Sequence, residues 1–181
     1  MLKITKQAKH IFNSIIALTL ILALTLLPSS NVNAEETKLF APTDFGDPIS
    51  VTTYTDTDGT TVTERIYFYS NSASTLRDKS GSGWYKNEKT KNWSDGTTTY
   101  YAQGYFVWGD GEVSVSSPSG GATDVKGITL SNKNLSSGTG KYGYLFNNFA
   151  YVTYSFTATN IVGLSDDYSV TIRISESGNA I

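Results

Sequence analysis

From Ala150 onward the chain alternates with period two. Ala150, Val152, Tyr154, Phe156 and Ala158 interleave with Tyr151, Thr153, Ser155, Thr157 and Thr159, and Tyr168, Val170, Ile172 and Ile174 interleave with Ser169, Thr171, Arg173 and Ser175. A helix cannot keep such a pattern on one face, so these are two half-buried strands joined across Asn160–Asp167. One apolar face on each strand needs a second layer to cover it. The β-branched and aromatic residues upstream, punctuated by Gly, Asn and Asp, supply that layer. The fold class expected is all-β, an antiparallel two-sheet β-sandwich.

Upstream, Ile49–Thr57 and Thr60–Tyr69 flank Asp58-Gly59, read as a two-residue type I′ turn. Counting outward pairs Thr55 with Val62, Val51 with Ile66 and Ile49 with Phe68, gathering the aliphatic residues on one face; Glu64 falls on that face, opposite Thr53. A second hairpin turns at Asp110-Gly111 and pairs Trp108 with Val113 and Phe106 with Val115. Ser116–Gly121 reads as a link, Gly127–Leu130 as a short strand, Ser136–Gly140 as a turn and Tyr142–Phe149 as a strand kinked at Gly143. Residues 70–96 show no sustained period and read as a long loop, the kind of segment that often carries function. The domain plan is therefore a leader (1–34), an irregular N-terminal arm (35–48) and one β-sandwich domain (49–181) with a long 70–96 loop.

The first 34 residues have the form of a signal peptide. Lys3, Lys6 and Lys9 precede an apolar run from Ile15 to Leu27, short against the ~20 residues of a membrane span. Pro28 ends the run, and Val32 and Ala34 place small side chains where a signal peptidase needs them, so cleavage is expected after Ala34. The alternative is an uncleaved anchor lengthened by Ile11 and Phe12. The C-terminus carries no apolar tail and no Leu-Pro-x-Thr-Gly type sorting signal, so a secreted, extracellular protein with no stable membrane anchor is expected. The lysine-bearing leader suggests a Gram-positive bacterium.

The sole His (His10) and sole Met (Met1) lie in that leader, and the chain has no Cys. The exported part thus lacks the usual acid–base residue at neutral pH, the soft metal ligands and the thiol nucleophile. All 16 acidic residues lie beyond residue 34, while three of the 14 basic ones do not, so the exported part is more acidic than the formal −2 of the whole chain. That argues against binding nucleic acid.

Tyr154-Ser155-Phe156-Thr157-Ala158-Thr159-Asn160, Gly163, Ser165 and Val170-Thr171-Ile172-Arg173-Ile174 resemble the last two strands of bacterial immunoglobulin-like repeats. The resemblance covers about 25 residues and implies a sandwich of the immunoglobulin-like kind and adhesion, binding or spacing. The chain as a whole is also similar to small uncharacterised exported proteins of Gram-positive bacteria.

The candidate binding residues are Trp84, Tyr85, Lys86, Lys89, Lys91 and Trp93, aromatic rings on which a sugar could stack beside lysines suited to an anionic polymer. The competing reading is that these rings pin a long loop to the sandwich. Asp56-Thr57-Asp58-Gly59 has the Asp-x-Asp-Gly core of a calcium loop without its third acidic ligand or its Glu, and a turn accounts for it. Asp166-Asp167 stands on the same footing, and Glu64 on an apolar face could be an acid of raised pKa. No catalytic set, metal site or cofactor motif emerges. The expectation is a secreted non-catalytic binding or adhesion-type domain that contacts a surface glycan, wall polymer or protein. The alternatives are a bacteriocin-like antagonist acting on a bacterial envelope and, further off, a carboxylate-based hydrolase.

Overall fold

Among the described residues eight strands follow one another and no helix occurs: β1 (Ser50–Thr55), β2 (Thr61–Tyr69), β3 (Gly81–Trp93), β4 (Gly96–Gly109), β5 (Glu112–Ala122), β6 (Ile128–Tyr142), β7 (Asn147–Asn160) and β8 (Ser165–Ser175). The computed structural model describes residues 40–70, 80–93, 96–123, 127–142 and 147–181. The leader with Ala34, arm residues 35–39 and Gly143 lie outside the described residues. Residues 40–48 carry bends and no strand, and Phe45 lays its ring against Tyr67.

The strands form two antiparallel sheets, β1-β2-β3-β4-β5 and β6-β7-β8. Each is a meander of sequential neighbours, and the chain crosses between sheets once, from β5 to β6. Immunoglobulin sheets instead exchange strands in a Greek key. The sandwich is present, and its connectivity is simpler.

The alternation in β7 and β8 builds the core as it reads in the sequence. Ala150, Val152, Tyr154, Phe156, Ala158, Val170, Ile172 and Ile174 are buried, and they meet Tyr85, Tyr100, Ala102, Phe106, Trp108 and Val113 from the larger sheet. Gly104 lets the sheets approach, because a Cβ there would crowd Val115 and Val152. Its absence also coincides with the bulge between Gln103 and Tyr105. The Asp110-Gly111 turn has both residues at positive φ (53° and 78°), which is type I′, and it sets the expected pairs Trp108↔Val113 and Phe106↔Val115.

The first hairpin is offset by one residue from its expected register. Asp56 N–H donates to Thr60 O (2.8 Å) and Gly59 N–H to Asp56 O (2.9 Å), with Gly59 at φ 81°. This is a three-residue loop closed by a left-handed glycine. Tyr54 therefore pairs with Val62, Thr52 with Glu64 and Val51 with Arg65. A one-residue slip moves every side chain to the other face, so Val51 is 56% exposed and β1 contributes nothing aliphatic to the core.

The largest correction concerns 70–96. Residues 81–93 are not a loop but β3, a central strand paired with β4 along its whole length and with β2 from Trp84 to Asn92. Ser116–Gly121 likewise belongs to β5, and the short strand and turn expected over 127–140 are one strand, β6.

Candidate binding site

A strand sends successive side chains to opposite faces, and that divides the six residues singled out in the sequence. Trp84 and Lys86 lie on the outer face. Trp84 is buried against Tyr105, and Lys86 pairs with Glu88 (2.6 Å) beneath the rings of Phe45, Tyr67 and Tyr101. Tyr85, Lys89, Lys91 and Trp93 lie on the inner face. Tyr85 is core, and its hydroxyl donates to Gly178 O at 2.5 Å. Only Lys89, Lys91 and Trp93 come together, at one end of the sandwich. The six do not form one stacking platform.

That end is organised by Lys91, 1% exposed. Its Nζ lies 2.6 Å from Asp56 Oδ2 and 2.7 Å from Asp58 Oδ2, with the rings of Tyr168 and Trp93 at 4.6 and 4.8 Å on its flanks. The tight turn aims both carboxylates. Asp56 Oδ1 accepts from Thr57 N–H, and Asp58 Oδ1 accepts from the N–H and hydroxyl of Thr60, leaving each Oδ2 for the ammonium. The position a hard cation would take in an Asp-x-Asp-Gly loop is thus filled by a lysine. Among the described residues no group of three or more His, Cys, Asp or Glu could hold a metal.

The electrostatics follow. Burial works against the Lys91 charge, but its hydrogen bonds to Asp56 and Asp58 outweigh that and hold its pKa above the ordinary lysine value. The hydrogen bond from Lys91 draws Asp56 down. At Asp58 burial pushes upward, and the bonds from Lys91 and Thr60 overcome it to leave a pKa of about 2. All three groups stay charged at neutral pH, as a lysine held between two carboxylates.

Glu64 also faces inward, and its Oε1 accepts from Asn87 Nδ2 at 2.6 Å with Lys89 Nζ 3.7 Å away. Asn87 Nδ2 reaches across the sandwich to Thr171 O (2.9 Å). Glu64 is thus a member of an inter-sheet polar contact, with a cation nearby.

Two cavities open at this end. One, of about 310 Å³, is floored by Trp93 and Tyr168 and walled by Ile128, Ala158, Ile161 and Leu164. The other, of about 430 Å³, is polar, with Tyr54, Lys89, Asp58 and Asp167 around it. Tyr168 and Asp166 line both, so the two are neighbours. Trp93 and Tyr168 meet edge to face at 5.6 Å, and Trp93 Nε1 donates to Thr98 Oγ1.

The rim of the apolar cavity is the β7–β8 turn. It repeats the construction of the first hairpin: Asn160 N–H to Leu164 O, Gly163 N–H to Asn160 O, and Gly163 at φ 83°. Asn160 Oδ1 accepts from Val162 and Leu164 N–H. This geometry demands Gly163 and favours Asn160 but asks nothing of 161, 162 and 164. Ile161, Val162 and Leu164 nevertheless stand there 82%, 74% and 68% exposed. The tip holds no aromatic or charged residue among 160–164, and its signal in the sequence is three aliphatic side chains within one turn. Among the described residues no helix is long and apolar enough to cross a membrane. Comparison with family models, curated proteins and solved structures finds no match to this chain.

Proposed function

We propose that this protein is exported, trimmed after Ala34, and acts outside the cell as a non-catalytic binding domain. Its contact surface is the end of the sandwich where Trp93 and Tyr168 floor the apolar cavity and Ile161, Val162 and Leu164 rim it. A surface glycan, a wall polymer or a protein is the class of partner. The observation that carries this reading is the tip itself: three exposed aliphatic side chains that the turn does not require, beside a cavity with aromatic faces. Such a combination of apolar rim, aromatic floor and a few polar groups is what a binding site needs. Lys91, Asp56 and Asp58 beside it are taken up in ion pairs with one another, which supports binding over acid–base chemistry. The likeness of β7 and β8 to immunoglobulin-like repeats agrees with an adhesive or binding role and adds nothing about the ligand.

The test is retention of the purified protein on isolated cell walls and on arrayed surface glycans and proteins. Wild type should be retained, and an Ile161→Ser/Leu164→Ser variant should be released with its fold unchanged. Equal retention of both would remove this end as the contact surface. The exposed tip also favours a second reading, an antagonist that engages a bacterial envelope. Growth inhibition of related bacteria by the wild type, lost in the same variant, would select it.

A further inference from the structure

The two sheets have four edges among the described residues, and they are not treated alike. On β5 the edge is broken by Ser117 at φ 49° and by Pro118 beside it. β6 carries a bulge between Ser131 and Asn134, with Asn132 at φ 49° and Lys133 next to it. β8 is occupied from the side: Asn87 Nδ2 takes Thr171 O, Ile181 N–H takes Arg173 O (3.0 Å), and Ala180 bridges Ile174. These are the usual means of blocking strand addition: bulges, Pro, Lys and cover.

Within Ser50–Thr55 β1 has none of them; the irregularity lies just before, where Ile49 N–H donates to Ile66 O (2.8 Å), the carbonyl opposite Ser50. Its register with β2 runs uninterrupted from Ser50 to Thr55, all six residues are exposed, and no described strand pairs with its other side. Ser-Val-Thr-Thr-Tyr-Thr contains no charge and no Pro, and it is rich in strand-forming residues. The Asp56 N–H to Thr60 O bond fixes which groups are free. In an antiparallel ladder bonding alternates along the strand, so the even positions bond to β2. Val51, Thr53 and Thr55 then direct N–H and C=O outward.

We infer that β1 is a self-association edge, which pairs antiparallel with β1 of a second copy to make a continuous ten-stranded sheet. A two-fold axis normal to the sheet keeps equivalent faces together, so only positions of like parity can face each other. Centring the axis on Thr53 uses the whole strand: Thr53 faces its own copy, Val51 faces Thr55, and Thr52 faces Tyr54. Thr–Thr and β-branched or aromatic pairs are favourable across strands, and no like charges meet in this register. The same patch serves both copies, as a closed dimer requires. This is separate from the ligand site at the sandwich end and does not depend on it.

The absence of cysteine makes the test direct. Sedimentation velocity of the purified protein, from micromolar to sub-millimolar concentration, should show a monomer–dimer equilibrium. Thr53→Lys sets two cations face to face on the axis and should weaken the dimer by at least about tenfold, with an unchanged circular dichroism spectrum. Thr53→Cys should form a disulfide-linked dimer under mild oxidation, since facing residues lie about 5.5 Å apart at Cα. Thr55→Cys should not, because its copy is about 13 Å away along the ladder. A monomer throughout, a dimer untouched by Thr53→Lys, or equal cross-linking at 53 and 55 would each overturn the inference. So would protection of the Val51, Thr53 and Thr55 amides from hydrogen exchange in the monomer, which would mean that the chain covers this edge itself.

Discussion

Lys91 and Asp56 form an asymmetric pair: their atoms are 2.6 Å apart, yet the lysine side chain is 1% exposed and the carboxylate 30%. A buried cation reaches out to carboxylates that water still touches, and Asp58, at 35%, repeats the arrangement. Besides them the ammonium meets only the Tyr168 hydroxyl at 3.5 Å and two aromatic rings, whereas the carboxylates also meet water.

That asymmetry sets the outcome of mutation. Asp56→Asn/Asp58→Asn leaves a buried ammonium without a counter-charge and should cost about 3 kcal/mol. Lys91→Met removes the buried charge, fills the space and leaves two carboxylates free to hydrate, and it should cost about 1 kcal/mol. Urea unfolding of the two variants measures the difference, and a Lys91→Met as damaging as the double variant would contradict this account.

The pH profile has a worked sign. Asp56 and Asp58 have folded pKa values below their unfolded ones, about 2 against 3.8 for Asp58. Their contribution is present above about pH 4 and is lost as pH falls toward 2. Lys91 is raised above 10.5, so its contribution holds below that value and fades as pH climbs past it. Buried Tyr85 and Tyr100, also raised, weaken the fold in the same alkaline range. Thermal melts should therefore show a plateau from about pH 5 to 9, and removal of the Lys91 cluster in a Lys91→Met/Asp56→Asn/Asp58→Asn variant should flatten the acid limb.

Two glycines with nearly equal φ should respond very differently to alanine. Gly59 (φ 81°) has open space where a Cβ would go, so Gly59→Ala carries only backbone strain of about 1 kcal/mol. Gly178 (φ 77°) lies against the Trp108 indole, and a Cβ there would overlap a ring that is 2% exposed. Gly178→Ala should cost about 3 kcal/mol, since overpacking adds to the strain. Denaturant midpoints compare them directly.

The β7–β8 tip should separate stability from contact. Ile161→Ser/Leu164→Ser changes side chains that water already surrounds, so its unfolding free energy should stay within about 0.5 kcal/mol of wild type. A larger loss would mean that the tip packs on its own cavity and is not held out for a partner.

The legible parts of the fold are those whose determinants are local. Ala150–Ala158 and Tyr168–Ile174 announce a buried face because each strand's inner side is uniformly apolar. Asp110-Gly111 sets its register because a two-residue turn with both residues at positive φ admits one pairing. Asp58-Gly59 shows how narrow that margin is. The same Asp-Gly dipeptide closes a three-residue loop when the residue before it adopts the turn, and the hydrogen bonds of Asp56 and Thr60 select that outcome. The tip at Ile161–Leu164 was readable as an apolar turn. Its exposure was not, because it depends on the turn standing beyond the sandwich end.

β3 marks the other boundary. Asn87, Lys89 and Lys91 occupy inward positions where a sequence pattern expects apolar residues, so the period-two signal vanishes over a central strand. They are tolerated there because Glu64, Thr171, Asp56, Asp58 and Tyr168, all distant in sequence, converge on them. By itself the sequence determined an all-β sandwich, the register of the Asp110-Gly111 hairpin and a cysteine-free chain dependent on burial and backbone pairing. Tertiary structure alone decided that 81–93 is a strand, which side each of its aromatics and lysines faces, and that Lys91 is a buried ion. The physical reason is that a charge can stand inside a protein only where distant parts of the chain bring it a partner.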